Sequence, residues 1–165
     1  SLFGTACQQD ALDYIKSQLT ADIKAMGNGG QVSLLAKWLP SVNASNADTV
    51  KNAKIIAKSV ICSSLTKAAM FGADANWGRI LCALGYAKCD IDVAKIDVAF
   101  RSPKGEIPVC VNGAGIPFSE EIAKEILLEK EIEIRIGLGD GDGKAVAWGC
   151  DLTYDYVKIN GDYRT

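Results

Sequence analysis

The strongest constraint on the fold is a change of hydrophobic period part-way along the chain. Up to Gly85 the apolar residues recur at three- and four-residue spacing, and beyond it they alternate. Helices repeat a face about every 3.6 residues and strands every second residue, so the first pattern reads as helices and the second as half-buried strands. Leu12, Ile15, Leu19, Ile23 and Met26 place a helix over 11–26, ended by Gly27-Asn28-Gly29-Gly30. Residues 32–39 are short and apolar, Pro40 stops them, and Ser41 to Asp48 reads as a polar loop. Asp48 then caps a second helix with Val50, Ala53, Ala57 and Val60 on one stripe. A third begins near Asp74 and buries Trp77, Ile80, Leu81 and Leu84.

In the second half, Ile96, Val98 and Phe100 form one predicted strand, and residues 107–111 form its neighbour across a Ser102–Gly105 turn. Ser119 caps a helix reaching Leu128, with Glu120 and Glu121 placed to favour its N-terminal dipole. Ile132, Ile134, Ile136 and Leu138 alternate strictly, and the run Gly139 to Gly143 leads into Val146, Trp148 and Cys150. That pattern predicts a β-hairpin. The expected class is α+β: helices first, then two antiparallel strand pairs with one helix between them.

Composition enters where it excludes chemistry. The 165 residues carry 18 basic and 20 acidic side chains, a net charge of −2, which gives no pull toward nucleic acid or an anionic membrane. No apolar run is long enough to span a bilayer, and no charged segment followed by an apolar core opens the chain. A cytoplasmic protein is expected. There is no histidine, so a Ser–His or Cys–His pair and a His-containing metal site are excluded within this chain. The six cysteines match no metal-binding spacing and read as reduced and mostly buried, Cys82 among them. No metal and no cofactor is expected.

The glycine run at 137–143 is flanked by strands, so it reads as a turn and not a phosphate loop. Asn43-Ala44-Ser45 reads as a chance glycosylation triplet, and Glu131, Glu133 and Arg135 as a solvated charge ladder. Two segments are richer than a generic core needs. Residues 71–80 set Asp74, Asn76, Gly78 and Arg79 around Trp77, where Asp74 would cap a helix and Gly78 would admit a neighbouring backbone. Residues 151–165 hold three tyrosines, Asn160 and alternating charge up to Thr165, and read as a docked tail.

These segments carry a resemblance. Ala57–Val60, the stretch Ser63-Ser64-Leu65-Thr66-Lys67-Ala68-Ala69-Met70-Phe71-Gly72-Ala73-Asp74-Ala75-Asn76-Trp77-Gly78-Arg79-Ile80 and the ending CDLTYDYVKINGDYRT resemble the C-terminal part of the second chain of the glutamate N-acetyltransferase, or ornithine acetyltransferase, family. The resemblance runs from about residue 52 to 165. It implies an ornithine acetyltransferase-like layered fold and acetyl transfer from N-acetylornithine to glutamate in arginine biosynthesis, with acetyl-CoA a donor in some members. It also implies a precursor that cleaves itself, a threonine at the new N-terminus as nucleophile, and an acetyl-enzyme intermediate. By the same resemblance Asn160 and Thr165 match substrate-binding positions, and the partner is the family's first chain in a heterotetramer of two chain types.

Other features depart from the family pattern. The cleavage segment with its nucleophile and the first chain's oxyanion-hole residues are absent from this sequence, so the chain alone is expected to be inactive. Where the family has a substrate-contacting glutamate after its early helix, this chain aligns Asn28. Ser1 is the remaining candidate for an N-terminal nucleophile. Residues 1–51 read as an atypical helical segment, with Val32 to Asn46 weakly similar to helical stretches of TROVE-like proteins. That leaves a second reading, a non-catalytic module or hybrid chain that keeps the C-terminal domain for association.

Overall fold

The structure is a computed structural model that describes residues 39–162. Its centre is a six-stranded mixed sheet in the order β4-β3-β2-β5-β1-β6. The strands are β1 (Leu39–Ala47), β2 (Asp97–Ser102), β3 (Gly105–Val111), β4 (Ala114–Gly115), β5 (Glu131–Gly137) and β6 (Gly143–Trp148). The helices are α1 (Val50–Cys62), α2 (Ser64–Phe71), α3 (Trp77–Gly85), α4 (Glu120–Leu127) and α5 (Tyr154–Asp162), with a single 3-10 turn at Val93–Lys95.

Period-two burial builds one face of the sheet. Ile132, Ile134 and Ile136 are buried along β5, and Val42 and Ala44 sit opposite Ile134 and Ile136 on β1. Phe100 and Val98 face the same pair from β2. Helix α1 packs on β1 and β6, and α4 on β2 and β3. Their buried residues, Ile56, Val60, Ile126 and Leu127 among them, close the core with Met70, Ile80 and Leu84. The alternate residues carry the charge ladder on the opposite face. Arg135 pairs with Glu106 at 2.8 Å and with Glu133 at 3.8 Å, and Arg101 reaches Glu133 at 3.5 Å.

Residues 41–47, expected as a loop, are a central strand. Its side chains are small and polar because only Val42, Ala44 and Ala47 meet the helices, while Ser41, Asn43 and Ser45 lie half-buried on the other face. There the Asn43 amide donates to Glu133 Oε1 at 3.0 Å, so the Asn-Ala-Ser triplet lies inside a sheet. Pro40 lies near the strand's start and does not end it. The hairpin expected between β5 and β6 does not form, because β1 lies between them, parallel to β5 and antiparallel to β6. The glycine run instead wraps the end of β1. Asp140 and Gly141 donate their N–H groups to the Asn46 carbonyl at 2.8 and 3.1 Å, and Asn46 bulges there in the left-handed region with φ 57°. Glycine is needed at 143, where a Cβ would stand 2.5 Å from the Thr49 backbone.

Helix boundaries shift slightly from their expected positions. Thr49, not Asp48, caps α1, and Val50 is exposed. Asn76, not Asp74, caps α3 by accepting from Arg79 N. Ser119 caps α4 as expected. The helix α2 was not anticipated. The helix at 11–26 lies outside the described residues, as does nearly all of 32–39.

Candidate functional site

The two segments that the sequence singled out meet in space. Ser63 caps α2 by accepting from Thr66 N, which sets the helix running through Lys67 to Phe71. The chain leaving β6 then crosses it, and Leu152 N donates to the Lys67 carbonyl at 3.3 Å. Thr153 accepts from Tyr156 N at 3.0 Å and so begins α5. Tyr154 sets its ring edge-to-face against Phe71, with centroids 5.0 Å apart and planes at 82°. From the other side Arg79 Nη1 donates to the Leu65 carbonyl at 3.2 Å, tying the start of α3 to α2.

This junction holds the three buried polar side chains among the described residues, Thr66, Asp151 and Thr153. The Thr66 hydroxyl has no hydrogen-bond partner among the described residues. Buried polar groups are costly unless satisfied, so their concentration at one place marks a region shaped by more than packing. Sequence reasoning flagged both segments but named none of these three. For Thr153, a threonine directly before a helix start was the available signal.

Other surface features are weaker candidates. A cavity of about 260 Å3 on the open sheet face includes Asp97, Glu106 and Arg135 in its lining, but Arg135 is already neutralised by Glu106. A second, of about 420 Å3, lies among Ser59, Cys62, Leu65 and Tyr86. Among the described residues no group of three or more Cys, Asp or Glu is placed to hold a metal ion. No described helix is long and apolar enough to cross a membrane.

The thiols differ from expectation. Cys62 and Cys82 are exposed, Cys89 and Cys150 are partly covered, and only Cys110 of the described five is buried. Cys82 falls on the outer side of α3, one residue off the Ile80–Ala83–Leu84 stripe. Burial pushes the Cys110 thiol above its ordinary pKa, helped by Asp97, and Cys89 moves the same way through partial burial, Asp48 and Asp90. Both shifts oppose thiolate formation. Among the described residues Gly78 meets only the Asn76 side chain, at 3.4 Å, and no described backbone approaches it. The close approach occurs at Gly115, where a Cβ would stand 2.4 Å from the Trp77 indole.

Comparison with known proteins extends the match along the chain. The profile of the ArgJ family matches residues 5–165.

The chain belongs to the ArgJ family. It is 49% identical over 155 residues to the arginine biosynthesis bifunctional protein ArgJ of Caldanaerobacter subterraneus subsp. tengcongensis, covering 94% of this chain and 37% of that protein. It is 43% identical over 157 residues to the glutamate N-acetyltransferase of Methanopyrus kandleri, covering 95% of this chain and 39% of that protein. The crystal structure of the arginine biosynthesis bifunctional protein ArgJ from Bacillus halodurans superposes with a TM-score of 0.75 at 36% identity, over 99% of this chain and 73% of that one. This ArgJ-family chain thus spans just over a third of the length of the curated relatives it matches.

The family match runs back past residue 52 to residue 5. Residues 39–46 of the stretch expected to resemble helical TROVE-like segments lie in a strand, β1, and not in a helix. Of the sequence-derived site residues, Asn160 lies exposed on α5, its side-chain amide donating to the Tyr156 carbonyl at 2.8 Å. Ser1, Asn28 and Thr165 lie outside the described residues.

Proposed function

We propose that this chain is the substrate-side portion of a glutamate N-acetyltransferase that moves an acetyl group from N-acetylornithine to glutamate in arginine biosynthesis, in the cytoplasm. The supporting observation is the ArgJ-family match over residues 5–165, which includes both converging segments. The reaction is a two-step acyl transfer. A threonine hydroxyl supplied by the preceding part of the polypeptide attacks the acetyl carbonyl and releases ornithine. The glutamate α-amine then attacks the acetyl-enzyme ester and restores the hydroxyl. Hydrogen-bond donors from the first chain hold the oxyanion in each step.

This chain contributes recognition. The Asn160 amide offers both a donor and an acceptor, and Thr165 offers a hydroxyl, groups suited to the charged ends of an amino acid. Asn28 takes the position of a glutamate that contacts substrate in the family. The partner is the family's first chain, in a heterotetramer. The match from residue 5 favours a single family chain over a hybrid one.

The test is acetyl transfer from N-acetylornithine to glutamate, followed by mass spectrometry. The chain alone is expected to give none. Produced together with the preceding part of an ArgJ polypeptide it is expected to turn over, with the acetyl group on that part. In this assembly Asn160→Ala should raise KM roughly tenfold or more, the usual scale for one hydrogen bond to a charged group. An unchanged KM would remove Asn160 from the site, and an acetylated Ser1 in the isolated chain would move the nucleophile into it.

A further inference from the structure

We infer that Tyr154, seated on Phe71, is a positioning residue that sets the angle at which α5 leaves the protein, and through it the place of Asn160; the inference rests on reading Asn160 as a substrate contact. Helix α5 buries none of its side chains. Among the described residues, three attachments hold its N-terminal end: the Leu152–Lys67 backbone bond, the Thr153 cap and the Tyr154–Phe71 ring contact. Asn160 lies six residues beyond Tyr154, about 9 Å along the helix at a rise of ~1.5 Å per residue. Asn160 also donates back to Tyr156, so it moves with the helix as one body. A change of tilt at the first turn is therefore carried to Asn160.

Tyr154 is 80% exposed, too open to serve the core. What its ring supplies is direction, because an edge-to-face pair has a preferred geometry that an aliphatic contact lacks. Phe71, half-buried at the end of α2, is a fixed seat: Gly72 N donates to the Ala68 carbonyl and Asp74 N to the Ala69 carbonyl just below it. The buried Asp151 and Thr153 hold the approach to α5 in place, which leaves the ring pair to set its tilt.

The test uses this chain produced together with the rest of an ArgJ polypeptide. Tyr154→Ala is expected to raise KM for N-acetylornithine roughly three- to tenfold, the factor equivalent to one aromatic pair, with kcat within about twofold. Tyr154→Phe keeps the ring and should restore the wild-type KM. Amide hydrogen exchange gives a readout independent of activity. In Tyr154→Ala the amides of residues 157–162 should exchange faster, with those of β5 unchanged, which also verifies the fold. Unchanged exchange at 157–162 overturns the inference whatever the kinetics. Faster exchange with unchanged KM, while Asn160→Ala raises KM, overturns it too. Failure of Tyr154→Phe to rescue assigns the effect to the hydroxyl and removes the ring-contact account. If Asn160→Ala leaves KM unchanged, the substrate reading of Asn160 falls and the inference falls with it.

Discussion

At the scale of single residues, solvent access decides the chemistry of the thiols. The Cys110 thiol donates to the Ile96 carbonyl at 3.8 Å from a fully buried position, and burial raises its pKa. A raised thiol pKa favours the neutral form. Cys110 therefore holds less thiolate at pH 8 than an ordinary thiol, and stability tied to its neutral form is lost only as pH climbs through the raised value. Iodoacetamide at pH 8 is expected to modify the exposed Cys62 and Cys82 in the native protein and Cys110 only after urea unfolding, read by peptide mass spectrometry. Native-state labelling of Cys110 at the rate of Cys62 would contradict its burial. Composition placed the cysteines inside because the residue type is usually buried. It could not place Cys82, because a shift of one residue on a helix turns a side chain by about 100 degrees.

At the scale of elements, the central strands separate burial from charge. Ile134 is fully buried between Val42 and Phe100, whereas its neighbour Arg135 lies on the open face in exposed ion pairs. Ile134→Ala is expected to cost about 2–5 kcal/mol in urea unfolding. Arg135→Ala should cost under about 1 kcal/mol and less still in high salt. Similar costs for the two would mean that the open face is not solvated in the free chain. Strands β2 and β5 were legible from period-two burial next to a turn or cap of known chemistry, and β3 as a short apolar run across a turn from β2. Strand β1 was not. Its sequence, LPSVNASNA, has few residues that favour strands, and its stability comes from pairing on both edges with β5 and β6, which lie about ninety to a hundred residues away.

At the scale of the whole molecule, the sheet with α1 to α4 forms the cooperative core, and α5 is attached to its surface. A chain ending after Thr153 is therefore expected to fold, with a urea midpoint close to that of the intact protein and a native near-ultraviolet circular dichroism spectrum. It should also lose substrate binding in the assembled enzyme, since Asn160 is gone. A large fall in the midpoint would place α5 in the core.

The sequence by itself determined the local elements whose signals are local: the caps at Ser119 and near residue 49, the alternation of β5, and the family motif from Ser63 to Ile80. It also marked residues 71–80 and 151–165 as unusual. Tertiary structure decided what no short window contains. It inserted β1 between β5 and β6, turned the glycine run from a hairpin into a wrap around the end of β1, and joined Phe71 to Tyr154. The physical reason is the same in each case. Periodicity and capping act over a few residues, whereas strand order and side-chain contact are chosen by burying one shared apolar face, and that choice depends on the whole chain at once.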